Sequence, residues 1–455
     1  MTTIERYIQD NHDRYESELI DILKIPSISS SPDHSDAMTA MATSLSREMQ
    51  RIGLENVEVM PTEGHPVVYG DWLKAAGKPT ILIYGHYDVQ PVDPVDLWDS
   101  PPFEPVIKGN RIFARGSADD KGQVYMHIKA VESWLSTQGE LPVNVKFILE
   151  GEEEIGSEHL HDFITKYKDK LAADYVVISD TPMYREGFPA VTYGLRGLTY
   201  LQIDVRGSST DLHSGSFGGV VVNPINALVD MLARVKDPQG HIQVPGFYDD
   251  VVAISEDERE KLGRLPFSAE DFAASIGAPE LSGESGYTHL EQLWARPTFD
   301  INGIWGGFQG VGAKTVIPAE AHAKVSMRLV PNQNPDDIAA KFQNYIQSLA
   351  PKTVEVTVNA MHGGHGYLTN LDNPGLQAAV RAMEAAFGAE TDYIREGGSI
   401  PIVKDFAEAL NAPVLLMGFG LPDQNAHAPN ENFSLDNYHK GILALANFLK
   451  EMAEL

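Results

Sequence analysis

Several hydrophobic, strand-like segments of this chain end in an acidic residue or a histidine, the side chains that bind hard metal ions. Four such segments are residues 81–88, 114–122, 147–154 and 176–180, and a fifth, 414–420, leads to His427. Together they supply imidazole and carboxylate groups without any thiol, because the chain has no cysteine. This ligand chemistry is typical of hydrolytic centres that use zinc, manganese or cobalt.

The first of these segments ends in His86-Tyr87-Asp88. Alternate residues of a strand face the same side, so the imidazole of His86 and the carboxylate of Asp88 share a face. We expect His86 to bind a metal ion while Asp88 accepts a hydrogen bond from the other ring nitrogen, which fixes the tautomer. A His-x-Asp pair is common by chance, and in isolation a structural role is the more frequent one.

Acidic residues follow two other segments. Asp119 stands in a loop of small residues, where its two oxygens could bridge two cations, although a solvated turn is the alternative. Among the four carboxylates of residues 150–154, we assign Glu154 as a ligand and Glu153 as a general base. A base must reach a metal-activated water without being consumed as a ligand. A solvated acidic loop is the alternative here, and Asp180 or His427 alone would be interpreted as structural.

The composition excludes several classes of function. The 35 Lys and Arg residues are outnumbered by 64 Asp and Glu residues, which gives a net charge of −29 and argues against nucleic-acid binding. An anionic membrane surface is disfavoured for the same reason. The absence of cysteine excludes disulfides and thiolate nucleophiles. No signal-peptide pattern and no apolar stretch of about 18 residues is visible, so we expect a cytoplasmic protein.

A chain of 455 residues is too long for one core, so two domains are expected. Apolar strands alternate with helical segments in residues 1–195 and 363–455, which predicts an α/β catalytic domain with a mostly parallel sheet. Ligands bind beyond the carboxyl ends of such strands, where the metal-binding candidates lie. Residues 196–362 predict an inserted α+β domain, an antiparallel sheet with helices on one face.

Four motifs carry a resemblance to a known family. They are GHYDVQP at 85–91, RGSADDKG at 115–122, EEIGS at 153–157 and DLHSG at 211–215. In this order they resemble the co-catalytic di-metal peptidase family, which includes cytosolic non-specific dipeptidase, carnosinase, aminoacylase and succinyl-diaminopimelate desuccinylase. The resemblance covers nearly the whole chain and is closest to the dipeptidase branch.

The resemblance implies a pair of divalent ions, zinc or manganese, with cobalt also compatible. One ion is expected at His86, Asp180 and Asp119, and the other at His427, Glu154 and Asp119, so that Asp119 bridges the two. The resemblance also implies a cis peptide bond after this bridging aspartate.

The same resemblance assigns the catalytic roles. Asp88 would orient His86, and Glu153 would be the base that returns a proton to the leaving amine. Metal-bound hydroxide would then cleave dipeptides or short peptides with a free C-terminal carboxylate. An N-acyl-amino-acid amidohydrolase is the nearest alternative, and a non-catalytic binding protein and an aminopeptidase are weaker ones.

One further motif resembles a phosphate-binding loop. Residues 310–315 end like such a loop, but Ala313 stands where that loop requires glycine. The motif therefore argues against nucleotide hydrolysis.

The inserted domain is implied to be a lid and a dimerisation domain of a homodimer. His213 resembles a histidine that crosses to the partner's active site and polarises the scissile carbonyl. Thr315, Arg328 and Ser399 match substrate-binding positions of the family. A guanidinium such as that of Arg328 suits a substrate carboxylate because it binds one bidentately.

Overall fold

The computed structural model describes residues 2–398, 400 and 402–455. Its strands are β1 (Glu55–Met60), β2 (Val67–Trp72), β3 (Thr80–His86), β4 (Val106–Lys108), β5 (Arg111–Phe113), β6 (Asn144–Glu150), β7 (Tyr175–Ile178), β8 (Ala190–Leu195), β9 (Gly197–Arg206), β10 (Leu212–His213), β11 (Asp300–Gly306), β12 (Val316–Ile317), β13 (Glu320–Leu329), β14 (Glu355–Gly364), β15 (Tyr367–Leu368), β16 (Asp392–Glu396), β17 (Val414–Leu416) and β18 (Asn432–Ser434).

The helices are α1 (Thr3–Asp10), α2 (His12–Leu23), α3 (Ser35–Arg51), α4 (Lys121–Gln138), α5 (Leu160–Lys166), α6 (Lys168–Leu171), α7 (Ser214–Phe217), α8 (Pro224–Leu232), α9 (Glu256–Arg264), α10 (Ala269–Ser275), α11 (His289–Trp294), α12 (Pro335–Leu349), α13 (Pro374–Phe387), α14 (Ile402–Leu410) and α15 (Leu435–Met452). Short 3-10 helices occur at Pro32–His34, Val95–Leu97 and Glu153–Ile155.

One compact unit of the chain consists of residues 1–193, 369–394 and 402–455. Its central strands β6, β3, β7 and β17 pair in parallel, as apolar runs buried on both faces. β1 and β2 continue the sheet in antiparallel fashion beyond β6, and β8 is antiparallel to β17. The predicted α/β sheet is confirmed, with its parallel strands at the centre and antiparallel strands towards the edges.

Helix α4 runs through the core of this unit. It is buried from Lys121 to Ser133, and α15 packs against both α4 and α13. The apolar side chains of these helices join those of the central strands in one cluster of buried residues. The N-terminus of α4 is therefore fixed by packing on several sides, and Asp119 precedes that helix by two residues.

The other compact unit consists of residues 194–368 and 395–401. Its antiparallel sheet has the order β11-β13-β9-β14, and buried and partly exposed residues alternate along β9 and β13. Helices α8 and α12 pack against the sheet and complete its apolar core. This confirms the predicted antiparallel sheet with helices. β10 and β12 form a separate two-stranded ribbon, and the polar stretch around residues 249–287 contains α9 and α10.

Candidate metal centre

The carboxyl ends of the parallel strands place the predicted ligands at one edge of the sheet. His86 is the last residue of β3, Asp180 follows β7 by two residues, and Glu154 lies in the 3-10 helix after β6. His427 lies in the loop that follows β17. Neighbouring parallel strands end at the same edge, so residues far apart in sequence meet there.

Two triads of possible ligand atoms are formed. The Nε2 atom of His86 lies 3.1 Å from Oδ1 of Asp119 and 3.9 Å from Oδ2 of Asp180. The Nε2 atom of His427 lies 2.8 Å from Oδ2 of Asp119 and 3.2 Å from Oε2 of Glu154. Within each triad the ligand atoms all lie within 4.8 Å of one another. All five predicted ligands are therefore brought together, and their metal-binding role remains a prediction.

The spacing of these atoms fits divalent ions. Ligand atoms about 2.1 Å from a tetrahedral ion are about 3.4 Å apart, which lies within the range of 2.8 to 3.9 Å between these pairs. The two oxygens of Asp119 face different imidazoles, as a carboxylate that bridges two ions requires. The donor set, two imidazoles and three carboxylates, suits zinc or manganese.

The electrostatics of the centre indicate an excess of negative charge. Burial raises the pKa of Asp180 well above its ordinary value, and the neighbouring carboxylates Asp119 and Asp120 raise it further. Hydrogen bonds to Asp119 and Glu154 raise the pKa of His427 to about 10. Burial lowers the pKa of His86, but hydrogen bonds to Asp119 and Asp88 outweigh it and raise that pKa well above its ordinary value. Cations bound here would relieve this repulsion between carboxylates.

Asp88 contacts one residue of each triad, His86 of the first and Glu154 of the second. Its Oδ1 atom lies 3.3 Å from Nδ1 of His86, and its own backbone carbonyl lies 3.1 Å from the same nitrogen. The carboxylate also accepts the backbone N–H groups of Glu153 and Glu154, at 3.3 and 3.1 Å. The geometry therefore allows Asp88 to orient His86, as the sequence predicts, and also to anchor the acidic segment.

The four carboxylates of residues 150–154 have different partners. Glu150 accepts hydrogen bonds from the hydroxyls of Tyr84 and Ser157 at 2.6 and 2.8 Å. Glu152 pairs with Nδ1 of His159 at 2.9 Å, and Glu154 belongs to the second triad. Glu153 belongs to neither triad of this centre, and burial together with its negatively charged neighbours raises its pKa to about 7. It is therefore placed as a carboxylate beside the ligands rather than among them.

The backbone around the ligands is unusual in two places. His427 has φ 61°, in the left-handed region that residues other than glycine rarely adopt, and Asn425 and Asn430 of the same loop have similar values. Such conformations persist where the surrounding structure enforces them, which is frequent at functional sites. The peptide bond between Asp119 and Asp120 is cis, as predicted.

Two positioning groups were missed by the sequence analysis. Gln90 donates from Nε2 to Oε2 of Glu154 at 2.7 Å. Glu431 is fully buried and accepts hydrogen bonds from the loop that carries Asp119. Gln90 lies in the GHYDVQP motif, and Glu431 follows His427 by four residues, so proximity to predicted ligands was the one signal available.

Three of the four predicted substrate-binding residues, His213, Thr315 and Arg328, lie in the other compact unit. The exposed His213 pairs with Val316 in the β10–β12 ribbon, and the carbonyl of Thr315 accepts the N–H of Ser214 at 3.0 Å. Arg328 and Arg196 both line a cavity of about 410 Å³. Burial lowers the pKa of Arg196 to about 10, and the charge of Arg328 adds to that effect. Ser399 lies outside the described residues.

Comparison with known proteins assigns these features to a family of enzymes. The family model described as peptidase family M20/M25/M40 matches residues 82–451. The human protein named Beta-Ala-His dipeptidase is 36% identical over 395 residues, which cover 86% of this chain and 78% of that protein. The Schizosaccharomyces pombe protein named Cys-Gly metallodipeptidase dug1 is 34% identical over 464 residues, which cover 98% and 97%.

A solved structure agrees with these sequence matches. The M20 family metallo-carboxypeptidase Sso-CP2 from Sulfolobus solfataricus superposes with a TM-score of 0.85 at 34% identity, covering 97% of this chain and 99% of that chain. Within residues 2–398, 400 and 402–455, no helix combines the length and hydrophobicity that crossing a membrane requires.

Proposed function

The chain belongs to peptidase family M20/M25/M40 and is a metallopeptidase of the dipeptidase type, and we propose that its two triads hold one divalent cation each. Metallopeptidases of this family use a dinuclear divalent metal site. The observation that carries the proposal is the placement of Asp119, whose two oxygens face His86 and His427. We propose zinc or manganese as the ions, because imidazole and carboxylate suit both.

The bound ions would polarise the scissile carbonyl and lower the pKa of the attacking water. Glu153 accepts the proton of that water and returns it to the nitrogen of the leaving amine. Asp88 holds the ring of His86 in one orientation and keeps the backbone of Glu153 in place. This division of roles is supported by the position of Glu153 beside the triads.

The substrate is a dipeptide, and we propose that its free C-terminal carboxylate is bound by Arg328 with Thr315 and Ser399. The cavity that Arg328 lines supports this role, because a guanidinium can bind a carboxylate bidentately. The names of the relatives supply the first substrates to test, β-Ala-His and Cys-Gly. N-Acetyl-alanine would detect the alternative amidohydrolase activity.

The decisive experiment separates the proposed base from the proposed ligands. Glu153→Gln should retain two bound ions per chain but lose about 100- to 10,000-fold in kcat, the usual contribution of a general base. The matched control is Glu158→Gln, an exposed residue five positions after that base, which should keep full activity. Retained turnover in Glu153→Gln would refute the role of base, and wild-type protein that binds no ions would refute the centre.

We further propose a cytoplasmic homodimer formed through the inserted domain, in which His213 acts in the partner's active site. Mixing an inactive Glu153→Gln chain with an inactive His213→Ala chain tests this, because mixed dimers would regain one complete site. A fully active monomer in sedimentation would contradict it. Cell fractionation tests the location.

A further inference from the structure

Glu431 has an unusual set of partners for a buried carboxylate. Its side chain is fully buried, and each oxygen accepts two hydrogen bonds. Oε2 accepts from Nη1 of Arg115 at 2.8 Å and from the backbone N–H of Gly116 at 2.9 Å. Oε1 accepts from the backbone N–H groups of Ala118 and Asp119, at 2.9 and 3.1 Å. Three of the four donors are thus backbone N–H groups of the loop that ends at the bridging aspartate.

We propose that Glu431 is a positioning residue for the metal centre, which fixes the backbone of the loop so that Asp119 can face both imidazoles. This inference rests on the proposed di-metal function. With its own N–H held by Glu431, Asp119 has little freedom to tilt away from either His86 or His427. A bridging ligand has to satisfy two ions at once, so it depends on orientation more than a ligand of one ion does.

The backbone of Glu431 is itself held firmly. Its carbonyl accepts the N–H of Ala114 at 3.1 Å, and the next residue, Asn432, begins β18, which pairs with β5. His427 lies four residues earlier in the same loop. Glu431 therefore connects the loop of Asp119 to the loop of His427, which are two of the three members of the second triad, and so helps to set the distance between them.

A simpler role for Glu431 would be to neutralise Arg115. That arginine, however, has further partners, since Nη2 donates to the carbonyl of Pro91 at 3.0 Å and the guanidinium lies 5.3 Å from the ring of Trp98. The three backbone donors have no charge to neutralise. A role limited to charge balance would leave metal affinity unchanged, whereas positioning would not.

The test compares two carboxylate-to-amide substitutions at buried glutamates. Glu431→Gln places an amide N–H group opposite existing donors and so breaks some of the four hydrogen bonds that the carboxylate accepts. Glu132→Gln changes a buried glutamate of α4 that binds Arg14, Arg51 and Lys129, about 17 Å along the helix from its N-terminus. Both should lower the unfolding temperature, so loss of stability alone does not distinguish them.

Metal affinity distinguishes the Glu431→Gln variant from the Glu132→Gln variant. Titration of the metal-depleted, folded proteins with Mn²⁺ or Zn²⁺ should show about 10- to 100-fold weaker binding for Glu431→Gln and unchanged binding for Glu132→Gln. Hydrogen exchange of the N–H groups of Ala118 and Asp119 should accelerate in Glu431→Gln only. Wild-type affinity in folded Glu431→Gln would overturn the proposal.

Two further outcomes are a Glu431→Gln variant that does not fold and a wild type that binds no pair of ions. If Glu431→Gln does not fold, Glu431→Asp keeps the charge but shortens its reach, and the same titration decides: weakened binding supports positioning and wild-type affinity overturns it. Wild-type protein that binds no pair of ions would refute the di-metal function itself. If only the positioning role of Glu431 is wrong, the wild type binds two ions and Glu431→Gln binds them equally well.

Discussion

Two clusters of carboxylates in the same compact unit are balanced in opposite ways. The metal-centre cluster comprises Asp119, Asp180 and Glu154, and the basic side chains that pair with it in the described residues are the imidazoles of His86 and His427. The ion-paired cluster comprises Glu18, Glu48 and Glu132 with the cations Arg14, Arg51 and Lys129. The metal-centre cluster offers two carboxylates and one imidazole to each of two ions, whereas the ion-paired cluster brings three carboxylates within reach of one ion but already contains protein cations.

The buried ammonium of Lys129 occupies the centre of the ion-paired cluster. Its Nζ lies 2.5, 2.5 and 3.0 Å from oxygens of Glu18, Glu48 and Glu132. Burial raises the pKa of Glu48, but Arg51 and Lys129 outweigh it and lower that pKa to about 2. In the metal-centre cluster the pKa of Asp180 moves upward instead. Proximity of acidic side chains is therefore common to both clusters, and the negative charge that protein cations leave uncompensated distinguishes the metal-centre cluster.

The largest effect is expected from Asp180→Asn. Loss of one ligand should remove one of the two ions and lower kcat by at least about 1,000-fold, because a metal ion contributes several kcal/mol to transition-state stabilisation. In metal-free protein the same change should not reduce the free energy of unfolding, because it removes a carboxylate whose charge is unfavourable there. Elemental analysis, kinetics and urea unfolding measure the three quantities. Two retained ions would contradict the assignment of this ligand.

The matched change in the ion-paired cluster is Glu132→Gln. It should lower the free energy of unfolding by about 3 kcal/mol, because it takes one partner from a buried network. Metal content and kcat should stay at the wild-type level. Urea unfolding with and without chelator measures the loss, which should be equal in both conditions. A change in metal content would break the distinction between the two clusters.

Added metal should act on one cluster alone. At a free concentration 100 times the dissociation constant, a cation should stabilise the folded protein by about 2.7 kcal/mol per site, and a chelator should abolish this gain. Glu132→Gln should gain as much as the wild type, and Asp180→Asn should gain less. Thermal unfolding across a Mn²⁺ series measures the gain. Equal stabilisation of both variants would indicate that the ions bind elsewhere.

The sequence predicted the metal-centre cluster better than its supports, for a physical reason. His86 ends one short apolar strand and Glu154 follows another, so local periodicity and ligand chemistry made them candidates, and the family resemblance supplied their proposed roles. Glu431 instead acts on backbone N–H groups more than 300 positions earlier in the chain, and no side-chain pattern encodes that contact. Backbone donors carry no residue identity in a sequence.

The ion-paired cluster was missed for a related reason. Lys129 and Glu132 are three residues apart on α4, a spacing that is also typical of exposed pairs on a helix surface. Their burial depends on α2 and α3, which bring Glu18 and Glu48 to the same place. The sequence predicts helical segments in this part of the chain and α4 confirms one of them, but its charged residues could not be assigned to the interior before the packing was known.

The last comparison concerns acid. Because the folded pKa of Glu48 is about 2 and its ordinary value is 4.5, its contribution to stability is complete above about pH 4.5 and is lost as the pH falls towards 2. Glu48→Gln should therefore flatten the dependence of unfolding free energy on pH in that window, by at most about 1.4 kcal/mol per pH unit. Urea unfolding from pH 5 to pH 2 in chelator measures it, with the exposed Glu104→Gln as control. An unchanged slope would mean that the protein cations do not hold this carboxylate as the ion-paired cluster implies.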